Sequence, residues 1–589
     1  MLRRNLIWMC LLMSLSGSRG NAQSIRDIIA PVNLTVDRCD TLRVGNLFYL
    51  SDYRLRFRPD TMVAVRYDSV AGYLMVTPSA EAEGWYPLEF SVHDHRYVIP
   101  VRVQIRPSHT FRYQSPDSIG RIMVFGSFNS WNRNELPMNR VDGVWKTTIA
   151  IDPGRYEYKF LIDGQEKIDP ANPEKVPNPF GDFNSILSVS PRHPEQAYLH
   201  LESSRHYRGN LELTFCLTVN DRPYPIDSDG ILALLDNRLM DRSQIRVKQH
   251  RMTVSLSRVQ IDSSRQFRVA VTLTGSSARD SQSLEMKGLS SLMQTVFLEP
   301  YHLRTSSIDP ILSGEWEESI IYSIMIDRFM DGDKRNNHPV EHPELLPPAN
   351  FQGGDLSGII QKIRQGYFDS LGINVLWISP VNQNTLKAER EYPEPHRYYS
   401  GYHGYWPSEP QQVDTRFGSS DELKELVELA HQHGIRVLLD FVAHHVHQDH
   451  PFFRDHPEWF GRLELPDGRK NLRLWDEYRL TTWFEPYLPS FDFVSSREAL
   501  EAMTDNAVWW LKEAGIDGFR HDAVKHVPNS FWEVLTRKIR QQIELPLGKS
   551  IYQIGETFGS YDLISSYVNH GQLDAQFNFN LFFTARNTF

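Results

Sequence analysis

Two carboxylates stand at the ends of neighbouring apolar runs: Asp522, in Gly518-Phe519-Arg520-His521-Asp522, and Glu556, in Ile551-Tyr552-Gln553-Ile554-Gly555-Glu556. Between them Phe531, Leu535 and Ile539 recur at i, i+4 and i+8, the buried stripe of a crossover helix. Parallel strands joined in this way lie roughly 4.8 Å apart, so carboxylates at adjacent strand ends come within about 5 Å of each other. A pair at that spacing can divide cleavage of a glycosidic bond between a nucleophile and a general acid, with retention at the anomeric carbon. Arg520 lies on the same strand face as Asp522 and favours its ionised form. Glu556, crowded by an anionic partner, is expected to hold its proton. The same residues would also serve as a buried Arg-Asp pair in an ordinary α/β core, with an unrelated Glu downstream.

The elements that must position these groups begin near residue 305. Strand-like runs at 320–326, 374–379, 436–442, 516–520 and 551–555 alternate with helical patterns. The clearest helix opens with the capping box Ser419 and Glu422, carries an apolar stripe of Leu423, Leu426, Val427 and Ala430, and stops at Gly434. Repeated βα units with right-handed crossovers predict a parallel sheet or a barrel. The stretch from Val442 to Ala499 is too long for a simple loop and reads as an inserted subdomain at about 446–497. Upstream, residues 23–106, 107–190 and 191–304 show short alternating runs, such as Leu211, Leu213, Phe215, Leu217 and Val219, and predict three all-β, Ig-like sandwiches.

Composition narrows the setting. A net charge of -10 gives no basic footprint for nucleic acid. Arg3 and Arg4, an apolar run from Leu6 to Leu15 and small residues ending at Ala22 form a secretory signal pattern over 1–22, too short to span a membrane. The mature chain is therefore expected to carry no transmembrane segment and to be exported, to the periplasm, the cell surface or the medium. It would keep only Cys39 and Cys216, which imply no disulfide framework.

With these motifs in order, residues 305–589 resemble the alpha-amylase superfamily, glycoside hydrolase family 13, with a leaning to its neopullulanase, cyclomaltodextrinase and alpha-amylase members. The segments that carry the resemblance are Gly372 to Pro380, Asp440 to His445, Gly518 to His526, Gly555-Glu556, and Leu488 to Asp492 near the end of the inserted subdomain. The resemblance implies a (β/α)8 barrel with its site at the C-terminal strand face. It makes Asp522 the nucleophile and Glu556 the acid/base. Arg520 and His445 would contact the sugar being cleaved, Lys525 and His526 would line the leaving-group side, and Tyr405 would be an aromatic platform or else a buried loop residue. The family also uses a third acid on a later strand, and this chain is written through only five of eight strands. Taken literally it is an incomplete barrel, expected to be inactive and poorly soluble.

Metal enters through the same resemblance. Asp331, Asp333, Asn336 and Asn337, with Gly353 and Asp355, are similar to a calcium loop, and their hard oxygens suit Ca²⁺; a solvated Asp/Asn turn is the alternative. His444 stands where a second calcium-binding Asn is usual, and His444, His445, His447 and His450 raise zinc as a further alternative.

Within 107–190, Phe125 to Trp131, Gly143-Val144-Trp145, Gly154 to Phe160 and Asp163-Gly164 resemble a glycogen-binding module. Trp131, Lys159 and Asn184 match its sugar-contacting positions, and Glu166 replaces a second stacking Trp. The combined expectation is a retaining hydrolase of α-1,4-glucans such as starch, glycogen or maltodextrin. The alternatives are a transglycosylase with the same carboxylates and an inactive glucan-binding protein.

Overall fold

The computed structural model describes residues 25–114, 119–129, 131–178, 182–190, 196–207, 209–273, 293–298, 316–559 and 561–588. The signal pattern at 1–22 and the domain boundaries near 191 and 305 lie outside these. The described residues fall into two compact units, one from those within 25–108, 150–154 and 189–298, the other from those within 109–149, 155–188 and 316–588.

The first unit pairs two sandwiches. In one, Val32–Thr35, His95–Gln104, Gly84–Val92 and Leu55–Phe57 face a three-stranded sheet of Asp40–Arg43, Tyr73–Pro78 and Val63–Asp68. Phe48, Phe90, Val76 and Ile99 fill the space between. In the other, Asn210–Val219 alternates buried and part-exposed residues along its length, as a strand with one covered face must. Its inward side chains Leu213, Phe215 and Leu217 meet Phe267 and Val269. The sandwiches are tied where Ile29 N–H donates to Asn237 Oδ1 at 2.8 Å and Trp85 N–H donates to Thr272 Oγ1 at 2.9 Å.

The second unit holds the middle β module together with the α/β region. Its sheet is parallel, in the order β1 (Ile321–Ile324), β2 (Val375–Ile378), β3 (Arg436–Phe441), β4 (Gly518–His521), β5 (Tyr552–Gly555) and β6 (Ala575–Gln576). The sixth strand corrects the expectation of five. At two residues, β6 is too short to leave a periodic signal, and it is fixed by pairing Ile554 with Ala575 and Gly555 with Gln576.

The helices follow their apolar stripes. α1 (Leu356–Arg364) buries Leu356, Ile359, Ile360 and Ile363, and α2 (Ser420–Gln432) has the expected reciprocal cap between Ser419 and Glu422. α3 (Arg497–Ala514) ends at Gly515 in the left-handed conformation, and α4 (Asn529–Ile539) buries Phe531, Leu535 and Ile539 against the sheet. Gly518 opens β4 where a Cβ would sit 1.9 Å from the Tyr552 carbonyl oxygen, so only glycine lets β4 and β5 approach this closely. Between β3 and α3 the chain forms a mostly irregular subdomain, closed by bridges such as His445 to Ser490 and Phe460 to Phe491.

Candidate active site

Register brings the charged groups together. Asp440 on β3 pairs with Arg520 on β4, and His521 on β4 pairs with Gly555 on β5. Asp522 and Glu556 each follow that last pair by one residue, so their side chains leave adjacent strand ends at the same level. The turn after Asp522 places Ala523 at φ 50, a conformation costly for a residue with a Cβ. It is held by Val524 N–H donating to the Glu556 carbonyl at 2.9 Å.

Arg520 is the hub. Only 5% exposed, its Nη1 donates to Asp440 Oδ1 at 2.8 Å and to Asp522 Oδ1 at 2.9 Å, and its Nη2 donates to Glu556 Oε2. The sequence places Arg520 beside Asp522; the fold makes it a clamp on three carboxylates. The Glu556 carboxyl is pushed up by burial and by the neighbouring Asp522, with Arg520 pulling it back. Burial next to another carboxyl favours the protonated form of Glu556.

Asp440, 1% exposed, is pushed up by burial and pulled back by Arg520, while Tyr405 Oη–H and Trp377 Nε1–H donate to its Oδ2 at 2.7 and 3.0 Å. Burial beside Asp440 raises the Tyr405 hydroxyl well above its ordinary range, so it stays a donor. His445 is buried and its pKa falls to about 4, leaving a neutral ring whose Nε2–H donates to the Tyr405 carbonyl at 2.9 Å. His526, with a pKa pushed down to about 3 by burial, donates Nδ1–H to the Arg479 carbonyl at 2.8 Å, and Lys525 beside it is lowered by burial.

The four histidines that raised zinc do not converge. His447 reaches Glu389 at 3.0 Å, His450 accepts the Phe452 N–H, and no group of three or more His, Cys, Asp or Glu among the described residues is arranged to hold a metal.

The five expected calcium side chains of the Asp/Asn loop fall into two sets. Asp355 is already spent: Oδ1 accepts N–H groups of Gly358 and Gly332, and Oδ2 accepts that of Asp333 and the Asn336 amide. The Asp333 carboxylate is taken by Arg335 at 2.7 Å. By contrast Asp331 Oδ1, Asn336 Oδ1 and Asn337 Oδ1 are buried oxygens with no hydrogen-bond partner. At Gly353, φ 91, a Cβ would fall 2.6 Å from Asn337 Oδ1, so the glycine lets that oxygen close on the loop. Unpartnered hard oxygens are what a Ca²⁺ ion would satisfy.

In the β module, Trp131 is half-buried with its ring edge-on to Phe125 at 5.8 Å. Lys159 and Asn184 differ from expectation. Each is only 5% exposed and satisfied inside the module: Lys159 Nζ donates to Asp182 at 2.8 Å and to Glu166 at 3.4 Å, and the Asn184 amide donates to Glu157 at 2.8 Å. Glu166, in place of an aromatic platform, draws Lys159 inward.

Residues 323–589 match the family description "Alpha amylase, catalytic domain". This region is an alpha-amylase catalytic domain. Residues 109–195 match "Glycogen recognition site of AMP-activated protein kinase". Alpha-amylase 2 of Dictyoglomus thermophilum is 31% identical over 289 residues, 48% of this chain and 44% of that protein. A Bacillus cyclomaltodextrinase is 30% identical over 294 residues, 46% of each. An Anoxybacillus alpha-amylase crystal structure aligns at 29% identity and TM-score 0.39, covering 46% of this chain and 55% of that one. The chain thus spans about half the length of the curated relatives it matches.

Within the alpha-amylase domain, sequence reasoning missed Asp440 and Trp377. Both sit in strand-end segments, but their contact with Arg520 and Tyr405 follows from register between strands 80 positions apart in the chain for Asp440 and Arg520.

Proposed function

We propose that the protein is a retaining glycoside hydrolase of α-1,4-glucans such as starch, glycogen or maltodextrin. The observation that carries this reading is the Asp522 and Glu556 pair, set at the same level of adjacent strand ends and bridged by Arg520. Carboxyls that share one guanidinium at adjacent strand ends fit the close spacing of a retaining pair, about 5 Å, rather than the wider gap that admits water in an inverting one. Asp522 attacks the anomeric carbon while Glu556 gives its proton to the departing glycosidic oxygen, forming a glycosyl ester on Asp522. Glu556, now ionised, takes a proton from water, whose oxygen attacks the same carbon and frees the Asp522 carboxylate. Tyr405 and Trp377 hold Asp440 against Arg520, which fixes the guanidinium between the two reacting carboxyls. The intact clamp favours a working enzyme over an inactive binding protein. With a sugar hydroxyl in place of water the same steps give transfer, and relatives named cyclomaltodextrin glucanotransferase share 26–31% identity with this chain. Proton NMR of products released from a maltooligosaccharide tests the reading: the new reducing end is expected first as the α anomer, and initial β anomer would exclude it.

A structural Ca²⁺ belongs to the proposal, held by Asp331, Asn336 and Asn337. Its positive charge would stabilise the loop that leads into α1. At a free concentration of about 100 times Kd such an ion adds about 2.7 kcal/mol to stability. Chelation is expected to lower the thermal midpoint, and Asp331→Ala to remove that response; a midpoint indifferent to chelator would favour the solvated turn.

Export is likewise proposed, on the pattern at 1–22. No helix among the described residues is long and apolar enough to cross a membrane.

A further inference from the structure

The glycogen-recognition module and the alpha-amylase domain share one compact unit, and Arg133 is a side chain that joins them. Arg133 lies two residues after Trp131, with its guanidinium over the Phe125 ring at 4.9 Å and bonded to Glu166 at 2.6 Å. Its Nη1 also reaches Asp476 of the inserted subdomain at 3.2 Å. The segment holding Asp476 packs against His526 and Lys525, the residues that the resemblance assigns to the leaving-group side. Trp475 packs edge-on against His526 at 5.5 Å, the Arg479 carbonyl accepts the His526 Nδ1–H at 2.8 Å, and Arg479 Nη1 donates to the Lys525 carbonyl. The Asp476 carboxylate interacts with both Arg133 and Lys525. One short segment therefore touches Arg133 of the module on one side and His526 and Lys525 on the other.

We propose that the module and the cleft bind one continuous glucan chain, and that Arg133 is the positioning residue that aligns Trp131 with the leaving-group side. This rests on the α-glucan reading above. The module then acts as an extension of the cleft for long chains, and its effect is confined to substrates long enough to reach Trp131. Two linked half-sites on one rigid path make long chains bind more tightly than short ones without any new contact in the cleft.

Calorimetric titration of maltotriose and maltoheptaose into the full chain tests this, with Asp522→Asn present throughout to prevent turnover. One maltoheptaose is expected per chain, bound about 10- to 100-fold more tightly than maltotriose. Arg133→Ala is expected to remove most of that ratio and leave maltotriose binding unchanged, Trp131→Ala to weaken maltoheptaose binding, and Arg133→Lys to restore part of the ratio. Two maltoheptaose molecules per chain, or a length ratio untouched by Arg133→Ala, would overturn the proposal while leaving the cleft reading intact. Absence of binding by either oligosaccharide would defeat both.

Discussion

Asp522→Asn is expected to lower kcat/KM on soluble starch by about 10⁴-fold in the enzyme that carries this catalytic domain, with little change in fold. The amide is nearly isosteric with the carboxylate and still meets Arg520, yet it cannot form the glycosyl ester. The loss belongs to kcat, because sugar contacts supplied by other residues are unaffected. Reducing-sugar release measured beside the unaltered enzyme checks this, and retention of a tenth or more of the activity would remove Asp522 from the nucleophile's role.

Arg520→Gln is expected to have the largest effect on stability. The guanidinium compensates Asp440, Asp522 and Glu556 at once in a nearly water-free position. Removing one partner of such a buried pair costs about 3–5 kcal/mol. The deficit should depend on pH with a definite sign. Burial already raises the carboxyls of Asp440 and Glu556, and Arg520 is the group that pulls both down. Without it their folded-state pKa values rise further above those of the unfolded chain. The folded state then binds more protons than the unfolded one, so stability falls as pH rises through the interval between the two values. Urea midpoints at pH 5 and pH 8 are expected to show a smaller deficit at pH 5. A deficit equal at both would mean that Arg520 acts through packing alone.

Local signals carried much of this organisation. The i, i+2 rule puts Arg520 beside Asp522, and the stripes of α2 and α4 and the cap at Ser419 are visible in residue types alone. Other features depend on relations between distant segments. The contact of Asp440 with Arg520 is a matter of sheet register, and β6 is defined by two residues that pair with β5. In the Asp/Asn loop, composition announces oxygen donors but not which are free. Asp355 caps α1, a role its place before Leu356 suggests, and that removes it from the unpartnered oxygens. In the module, Lys159 and Asn184 match sugar-contacting positions, but Glu166 and Glu157 draw them into the fold. Chain order also hides that the middle β module joins the catalytic unit while the sandwiches before and after it pack together.

The covalent step is the centre of this account, and it is tested most directly by trapping. Incubation with a ring-fluorinated α-glucosyl fluoride, which slows release of the glycosyl group more than its transfer to the enzyme, should be followed by proteolysis and mass spectrometry. A hexosyl-type adduct on the peptide containing Asp522, absent in Asp522→Asn, is the expected result. Turnover of the fluoride with no adduct, or an adduct on another residue, would contradict it.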